Sequence, residues 1–309
     1  MTGQNSLAAL IARHTPREGR NETAIAELRL SRASAPGMGV PNLYEPCLCL
    51  IAQGKKQIYC GAHIYPYAPG ICLIIPMSLP LSGQVVEASA ARPYLGLQIS
   101  LNMAAITELL PHVPQAAAKA GANKAGSEII AAAPTDGALP DAVLRLLRLL
   151  DAPQDIAALS GLILREIYYR LLRGSQGAYL AHMAQPEGHA ARITKAISLI
   201  KDRPSEPLKV SALAEQTGMS ISSFHAYFKQ ITGFSPLQYQ KHWRLMQARR
   251  RLSTHSAGIA EIAYQLGWQS ASQFSREYAR LFGAPPKGIR QEDNNIEINA
   301  LQIRTQPSD

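Results

Sequence analysis

Two stretches of this chain repeat one another, and the repeat restricts the fold more than any other feature. Leu213-Ala-Glu-Gln-Thr-Gly218-Met-Ser-Ile-Ser-Ser-Phe224 aligns with Ile262-Ala-Tyr-Gln-Leu-Gly267-Trp-Gln-Ser-Ala-Ser-Gln-Phe274 with one inserted residue. Phe224 is followed nine residues later by Gly233 and then by Pro236, and Phe274 nine later by Gly283 and then by Pro286. Each unit reads as a helix-turn-helix. In the first, Val210, Leu213 and Ala214 mark the inner face of a short helix, and Ala214 is small enough to let a second helix cross close by. Gly218 supplies the left-handed turn that ends it. Ser220 is suited to cap the next helix, in which Phe224, Phe228 and Ile231 share one face. The second unit repeats this with Ala263, Gly267 and Ser270, and with Phe274, Tyr278 and Leu281 as its inner face.

The opposite face of each second helix is polar. In the first unit it carries Ser222, His225, Ala226 and Lys229; in the second, Ser272, Gln273, Ser275, Arg276 and Arg280. Pro236 to Leu252 reads as an unbroken helix between the units, with Lys241, Arg244, Arg249, Arg250 and Arg251 along it. A rigid helix there fixes the separation of two reading heads, which would visit successive major grooves about 34 Å apart. The predicted base readers are Ser222, His225, Ser272, Gln273, Ser275 and Arg276, and the predicted phosphate anchors are Lys229, Lys241, Arg244 and Arg280. Arg276 is the best placed for bidentate reading of guanine. A helix over Ala190 to Lys201, with Ile193, Ala196, Ile197 and Ile200 on one face, is expected to pack behind the first unit.

Charge points to the same region. The chain has a formal net charge of +9 over 309 residues. Residues 191–290 hold 15 Lys and Arg against 5 Asp and Glu, whereas residues 1–190 hold 15 against 13 and the tail 291–309 holds 1 against 4. The positive excess is therefore a property of one block, the footprint expected of a polyanion binder. Arg outnumbers Lys by 21 to 10, which favours bidentate recognition of phosphates and guanine edges over a merely solubilising surface.

The first half has a different pattern. Short β-branched or aromatic runs, Cys47 to Ala52, Lys56 to Cys60, His63 to Tyr67, Ile71 to Ile75, Gln84 to Glu87 and Tyr94 to Ser100, are separated by turn signals at Gln53-Gly54, Gly61-Ala62, Pro69-Gly70 and Ser82-Gly83. They predict a small antiparallel barrel or sandwich over about 22–101. From Asn102 the pattern turns helical. Val143, Leu144, Leu147 and Leu150 form one stripe, and Leu159, Leu162, Ile163, Ile167 and Leu171 another, with Arg145, Arg148, Arg165 and Arg170 between them. These helices could pack on the barrel or on their twins in a second subunit, and the pattern does not decide between the two. Gly121 to Asp136 reads as a loop and Gly174 to Gly188 as the linker between two domains.

Chemistry-bearing residues in the first half are sparse. Cys47, Cys49, Cys60 and Cys72 all fall in the barrel; they read chiefly as small buried hydrophobes, with a thiol sensor or effector contact as the alternative. No His-x-His with a following carboxylate accompanies lone His63, so no metal site and no cofactor is predicted. Glu45 and Glu87 read chiefly as solvated strand ends, with ligand or effector-contact roles as the alternative, and Tyr59, Tyr65, Tyr67 and Tyr94 as barrel core or the lining of an effector pocket. No Walker loop, H-E-x-x-H or nucleophile elbow is present in the sequence. There is no run of about 18 apolar residues and no secretory pattern over Met1 to Arg13, so a cytoplasmic protein without a membrane span is expected.

Residues 191–290 resemble the DNA-binding domain of the AraC/XylS family of bacterial transcription regulators, through the first repeat, Ser223-Phe-His-Ala-Tyr-Phe-Lys229, Thr232-Gly-Phe-Ser-Pro-Leu-Gln-Tyr239, Arg249 to Leu252, Ser272-Gln-Phe-Ser-Arg-Glu-Tyr278 and Phe282-Gly-Ala-Pro-Pro286. The first half resembles the N-terminal domain of one branch of that family, through Glu45-Pro-Cys-Leu-Cys-Leu-Ile-Ala-Gln-Gly-Lys55, Leu79-Pro-Leu-Ser-Gly-Gln-Val-Val-Glu87, Leu144-Arg-Leu-Leu-Arg-Leu-Leu150 and Leu164-Arg-Glu-Ile-Tyr168. The chain departs from the family pattern at Ala226, where Arg or Lys is usual. The resemblance implies an α+β chain: an N-terminal cupin-like antiparallel β-barrel with flanking helices, then an all-α seven-helix domain with two helix-turn-helix motifs. The expected division is 1–185 regulatory, with helices over about 102–173; 186–290 DNA-binding, with motifs at about 208–231 and 258–282; and 291–309 an acidic, flexible tail. The expected partners are double-stranded promoter DNA, RNA polymerase, an unidentified small-molecule effector, and a second copy of the chain through residues 138–173. The function implied is regulation of transcription, as an activator, rather than catalysis. The competing readings are a cupin-type enzyme with an appended DNA-binding domain and an architectural DNA binder without sequence preference.

Overall fold

The computed structural model describes residues 3–39, 41–113, 128–135, 137–254 and 258–286. After helix α1 (Gly3–Arg13) come ten strands: β1 (Gly19–Glu22), β2 (Leu28–Ala33), β3 (Gly37–Met38), β4 (Asn42–Tyr44), β5 (Cys47–Gln53), β6 (Lys55–Cys60), β7 (His63–Tyr67), β8 (Ile71–Ile75), β9 (Leu79–Glu87) and β10 (Tyr94–Ser100). Helix α2 (Met103–Leu109) and a further strand β11 (Ala131–Pro134) follow. The strands form two antiparallel sheets, one ordered β1-β2-β10-β5-β8-β11 and the other β3-β9-β6-β7, with β4 also on β9. Alternation within β6 puts Ile58 and Cys60 into the core and leaves Gln57 and Tyr59 on the outer face. The expected barrel is therefore present, preceded by helix α1, a stretch for which the sequence pattern predicts no element.

Three local expectations are corrected. Ser82-Gly83 is not a turn: β9 runs through it, with Gly83 opposite Ile58 and the Lys56 side chain lying against it. Ala131–Pro134, expected within a loop, is an edge strand on β8. Gly174 to Gly188 is not an open linker. It contains helix α5 (Gly177–Met183), whose buried Tyr179 hydroxyl donates to the Ile129 carbonyl at 2.9 Å. Residues 121–127 and 136 of the predicted Gly121 to Asp136 loop, and the predicted tail 291–309, lie outside the described residues.

Helices α3 (Leu139–Arg148) and α4 (Ile156–Arg173) lie against the barrel. Val143, Leu147, Ile163, Ile167 and Leu171 enter the core, and the Tyr168 hydroxyl donates to Ser100 O at 2.9 Å. Leu159 and Leu162 leave the predicted stripe: they are 41% and 66% exposed, because the buried face of α4 begins only at Ile163.

Six helices complete the described chain: α6 (His189–Asp202), α7 (Val210–Gln216), α8 (Ile221–Thr232), α9 (Pro236–Thr254), α10 (Ile259–Gln265) and α11 (Ala271–Phe282). Ile193, Ala196, Ile197 and Ile200 of α6 are all buried. The apolar core runs without a break from the barrel through α3–α6 to Phe224, Phe228 and Tyr239. A second, smaller core gathers Leu245, Ala248, Ile262, Ala263, Leu266, Trp268, Phe274 and Tyr278. The first helix-turn-helix thus shares its core with the barrel, and the second has its own.

Candidate nucleic-acid interface

The two repeats fold alike down to their caps. Ser220 accepts from Ser223 N and Ser270 from Gln273 N, so each second helix starts on a serine that satisfies an otherwise orphan amide. Both helices close on a left-handed glycine, Gly233 at φ +79° and Gly283 at φ +76°. In the turns, Met219 N and Trp268 N reach back to Ala214 O and Ala263 O at 2.9 and 3.0 Å. Phe224, Phe228, Phe274 and Tyr278 are buried beneath. What remains outward on α8 is Ser222, His225, Ala226 and Lys229, and on α11 Ser272, Gln273, Arg276 and Arg280, all exposed. Ser275 does not join them: half-buried, its hydroxyl donates back to Ala271 O at 2.9 Å.

The connecting helix is corrected more strongly. Lys241 and Arg244, predicted as phosphate anchors, are each engaged by other groups of the protein. Lys241 Nζ pairs with Glu277 at 2.9 Å. Arg244 donates to the carbonyls of Pro204 and Glu206, in the loop between α6 and α7, and desolvation lowers its pKa. Arg249 lies over the Phe282 ring at 5.1 Å, and Arg251 donates to the Gln265 side chain at 3.1 Å. The guanidinium groups of Arg244 and Arg249 thus meet backbone carbonyls and an aromatic ring, whereas Arg250 is exposed. Behind the first head, Arg192 and Lys195 of α6 likewise cap Gly218 O and Gln216 O at 3.1 and 2.8 Å.

Glu277 is the residue that the sequence reading missed. Its carboxylate receives Lys241, the Trp268 indole N–H at 3.1 Å and the Gln273 amide at 3.3 Å. Burial pushes its pKa up, but these hydrogen bonds outweigh that and hold it below the usual carboxylate range. The available signal was its charge: acids are scarce in this block, and a scarce acid on a helix between two bases asks for a buried partner.

The barrel grips the first head at two places. Glu45, predicted as a solvated strand end, pairs with Lys201 Nζ of α6 at 2.8 Å and accepts from the Ser78 hydroxyl. Beside it, the buried Tyr239 hydroxyl of α9 donates to Ser78 O at 2.8 Å, and burial raises its pKa. At the second place the Cys60 thiol donates to Thr232 O at 3.5 Å, next to Gly233. Glu87 is held by Lys55 at 2.7 Å.

The cysteines do not converge on one site. Cys47 and Cys49 lie on one face of β5 with their sulfurs 3.8 Å apart. Cys72 pairs with Leu50 and so shares the opposite face, while Cys60 lies in the other sheet. All four are buried thiols, and desolvation pushes Cys47 well up and Cys60 up to about 12. Protonated, inaccessible thiols make poor redox or electrophile sensors, so the geometry favours their role as core hydrophobes. The four tyrosines also separate: Tyr67 and Tyr94 are buried within the barrel, Tyr65 is half-buried, and Tyr59 bonds Gln57 and Gln84 on the outer face.

Fold and motifs together define a regulator with a barrel and paired helix-turn-helix units. The family model for the AraC-type transcriptional regulator N-terminus matches residues 24–179, and a helix-turn-helix domain model matches residues 213–292. The chain belongs to the family of AraC-type transcriptional regulators. It is 33% identical over 105 residues to the HTH-type transcriptional activator RhaS of Escherichia coli strain SE11, a match spanning 34% of this chain and 38% of that protein. RhaS of Pectobacterium atrosepticum is 30% identical over 145 residues, 46% of this chain and 49% of its own. The chain thus spans less than half the length of these curated relatives. Over the whole molecule, the fold is similar to that of ToxT from Vibrio cholerae, at a TM-score of 0.60 and 11% identity, covering 87% of this chain and 97% of the other.

Proposed function

We propose that this chain is a sequence-specific DNA-binding transcription regulator, with α8 and α11 reading adjacent major grooves of a promoter site and the barrel modulating that reading. The observation that carries this is the pair of matched, serine-capped helices whose polar faces stand exposed on either side of one connecting helix. Ser222 and His225 on the first head, and Ser272, Gln273 and Arg276 on the second, read bases; Lys229 and Arg280 hold phosphates. The functional halves are 1–185 and 186–290. The wider setting is the cytoplasm, with RNA polymerase and an unidentified small-molecule effector as partners, and the activity is regulatory rather than enzymatic. Replacing Arg276 by Ala is expected to cost about 1–3 kcal/mol at the cognate site and little on random DNA, read by competition gel shift. An equal loss on both would overturn its base-reading role.

A homodimer through α3 and α4 is a second part of the proposal. Leu159 and Leu162 stand exposed beside Leu149 and Ile163, rimmed by Arg145, Arg148 and Glu166. An apolar patch with a charged rim suits a second copy of the same surface. Light scattering is expected to give a dimer that Leu162→Asp converts to monomer; a monomeric wild type, or a dimer that this change leaves intact, would overturn it.

A further inference from the structure

The loop between α6 and α7 belongs to the first head, yet it is held by residues that also touch the second. Arg244 of α9 donates to Pro204 O and, at 2.9 Å, to Glu206 O; Gln240, one turn earlier, donates to Glu206 O at 2.9 Å. The same Arg244 guanidinium lies 5.9 Å over the Trp268 ring, in the turn of the second head, within range of a cation–π attraction. Gly267, next to Trp268, sits so close to the Ser205 backbone that a Cβ would collide with the Ser205 carbonyl. Trp268 donates to Glu277 of α11, and Glu277 also holds Lys241 of α9 and the Gln273 side chain. Glu277 is well enclosed, its side chain only 17% exposed.

These contacts form one unbroken path: first-head loop, Arg244, Trp268, Glu277, second recognition helix. Two Arg244 nitrogens, the Trp268 N–H and the Glu277 carboxylate have partners with fixed directions, and the guanidinium and indole N–H define angles that a simple apolar contact would leave free. We propose that the Arg244–Trp268–Glu277 junction sets the distance and rotational phase between the two reading heads, and so makes the chain selective for the spacing between its two half-sites. Arg244 and Glu277 act here as positioning residues; neither needs to touch DNA. The proposal rests on the two-head reading proposed above.

One inserted base pair turns the far half-site by about a tenth of a turn, which a stiff pair of heads meets only by twisting DNA. The test uses the full chain on the two-part site selected from random DNA, with zero, one or two base pairs inserted or removed between the halves. Wild type is expected to prefer its own spacing by about tenfold or more, the twist being charged to the DNA. Arg244→Lys, which loses the fork, and Trp268→Phe, which loses the indole donor but keeps a ring, are expected to bind the native spacing within a few-fold of wild type. Their preference over the one-base-pair insertion is expected to shrink to about threefold or less, because compliance between the heads now absorbs the twist. Trp268→Phe keeps the test valid if Arg244→Lys fails to fold. Variants that weaken every spacing equally, with the wild-type ratio intact, would overturn the junction while leaving two-head reading in place. A wild type that selects one unbroken motif, or none, would overturn the two-head reading and the junction with it.

Discussion

Gly218 and Gly267 occupy the same turn in the two heads, and their surroundings make them unequal. Both have positive φ, +65° and +88°, but a Cβ on Gly218 meets open space whereas one on Gly267 meets the Ser205 backbone. Gly218→Ala is expected to cost about 1–2 kcal/mol, the backbone strain alone. Gly267→Ala, adding a collision with backbone, is expected to cost more than about 3 kcal/mol. Urea unfolding that ranks them the other way would contradict the described packing of the second turn on the first head. The sequence made both glycines legible as turns through the repeat; it held no sign of the Ser205 contact, which depends on where two distant segments meet. Cys60 supplies a pH test. Its thiol has an ordinary pKa of 9.0 and a folded value of about 12, so the native state holds the proton more tightly than the unfolded chain. The stabilisation is fully present below pH 9.0 and is lost as pH rises towards about 12. Native protein at pH 8 is expected to leave all four thiols unlabelled by an aromatic disulfide reagent, and denatured protein to label four. Rapid labelling of native protein would revive the sensor reading.

Among the elements, those whose burial follows from their own residues were the legible ones. β7, β8 and β10 match their predicted bounds: β8 and β10 are short apolar runs, and β7, largely exposed, is bounded by turn residues at Gly61-Ala62 and Pro69-Gly70. β9 was read too short because Pro80 and Gly83 look like breakers. Pro80 sits near the start of the strand opposite Leu43, and Gly83 makes room for Lys56. On α4 the helical period was right and its buried arc was wrong, since Leu159 and Leu162 precede the point where the barrel begins to cover the helix. The serine caps of α8 and α11 were readable from local chemistry. Ser270→Ala is expected to lower the stability of the second head by about 1 kcal/mol, a cost within the range of lost N-caps. Thermal melts followed at Trp268 check this, and a loss below about 0.3 kcal/mol would mean that the cap carries no weight.

At the scale of the whole molecule, the charge count located the DNA-binding half but not its working face. Net charge cannot tell a cation aimed at phosphate from one held by a carbonyl, and Lys241, Arg244, Arg249 and Arg251 are each engaged by another group of the protein. The same limit hid Lys201, which ties α6 to Glu45 of the barrel. The positive excess therefore serves two purposes: part of it assembles the heads and seats the first on the barrel, and an exposed remainder, which includes Lys229 of α8 and Arg276 and Arg280 of α11, faces outward. One core continuous from barrel to first head, with a separate core in the second, makes the first head the natural point at which the barrel acts on DNA. On the proposed function, one chain reads two half-sites on one face of a duplex. Hydroxyl-radical footprinting of the full chain on its selected site tests it most directly. Two protected patches about one helical turn apart are expected, centred on two short conserved motifs, with Arg276→Ala erasing the motif of one patch and sparing the other. A single protected patch, or protection spread evenly over any sequence, would contradict it.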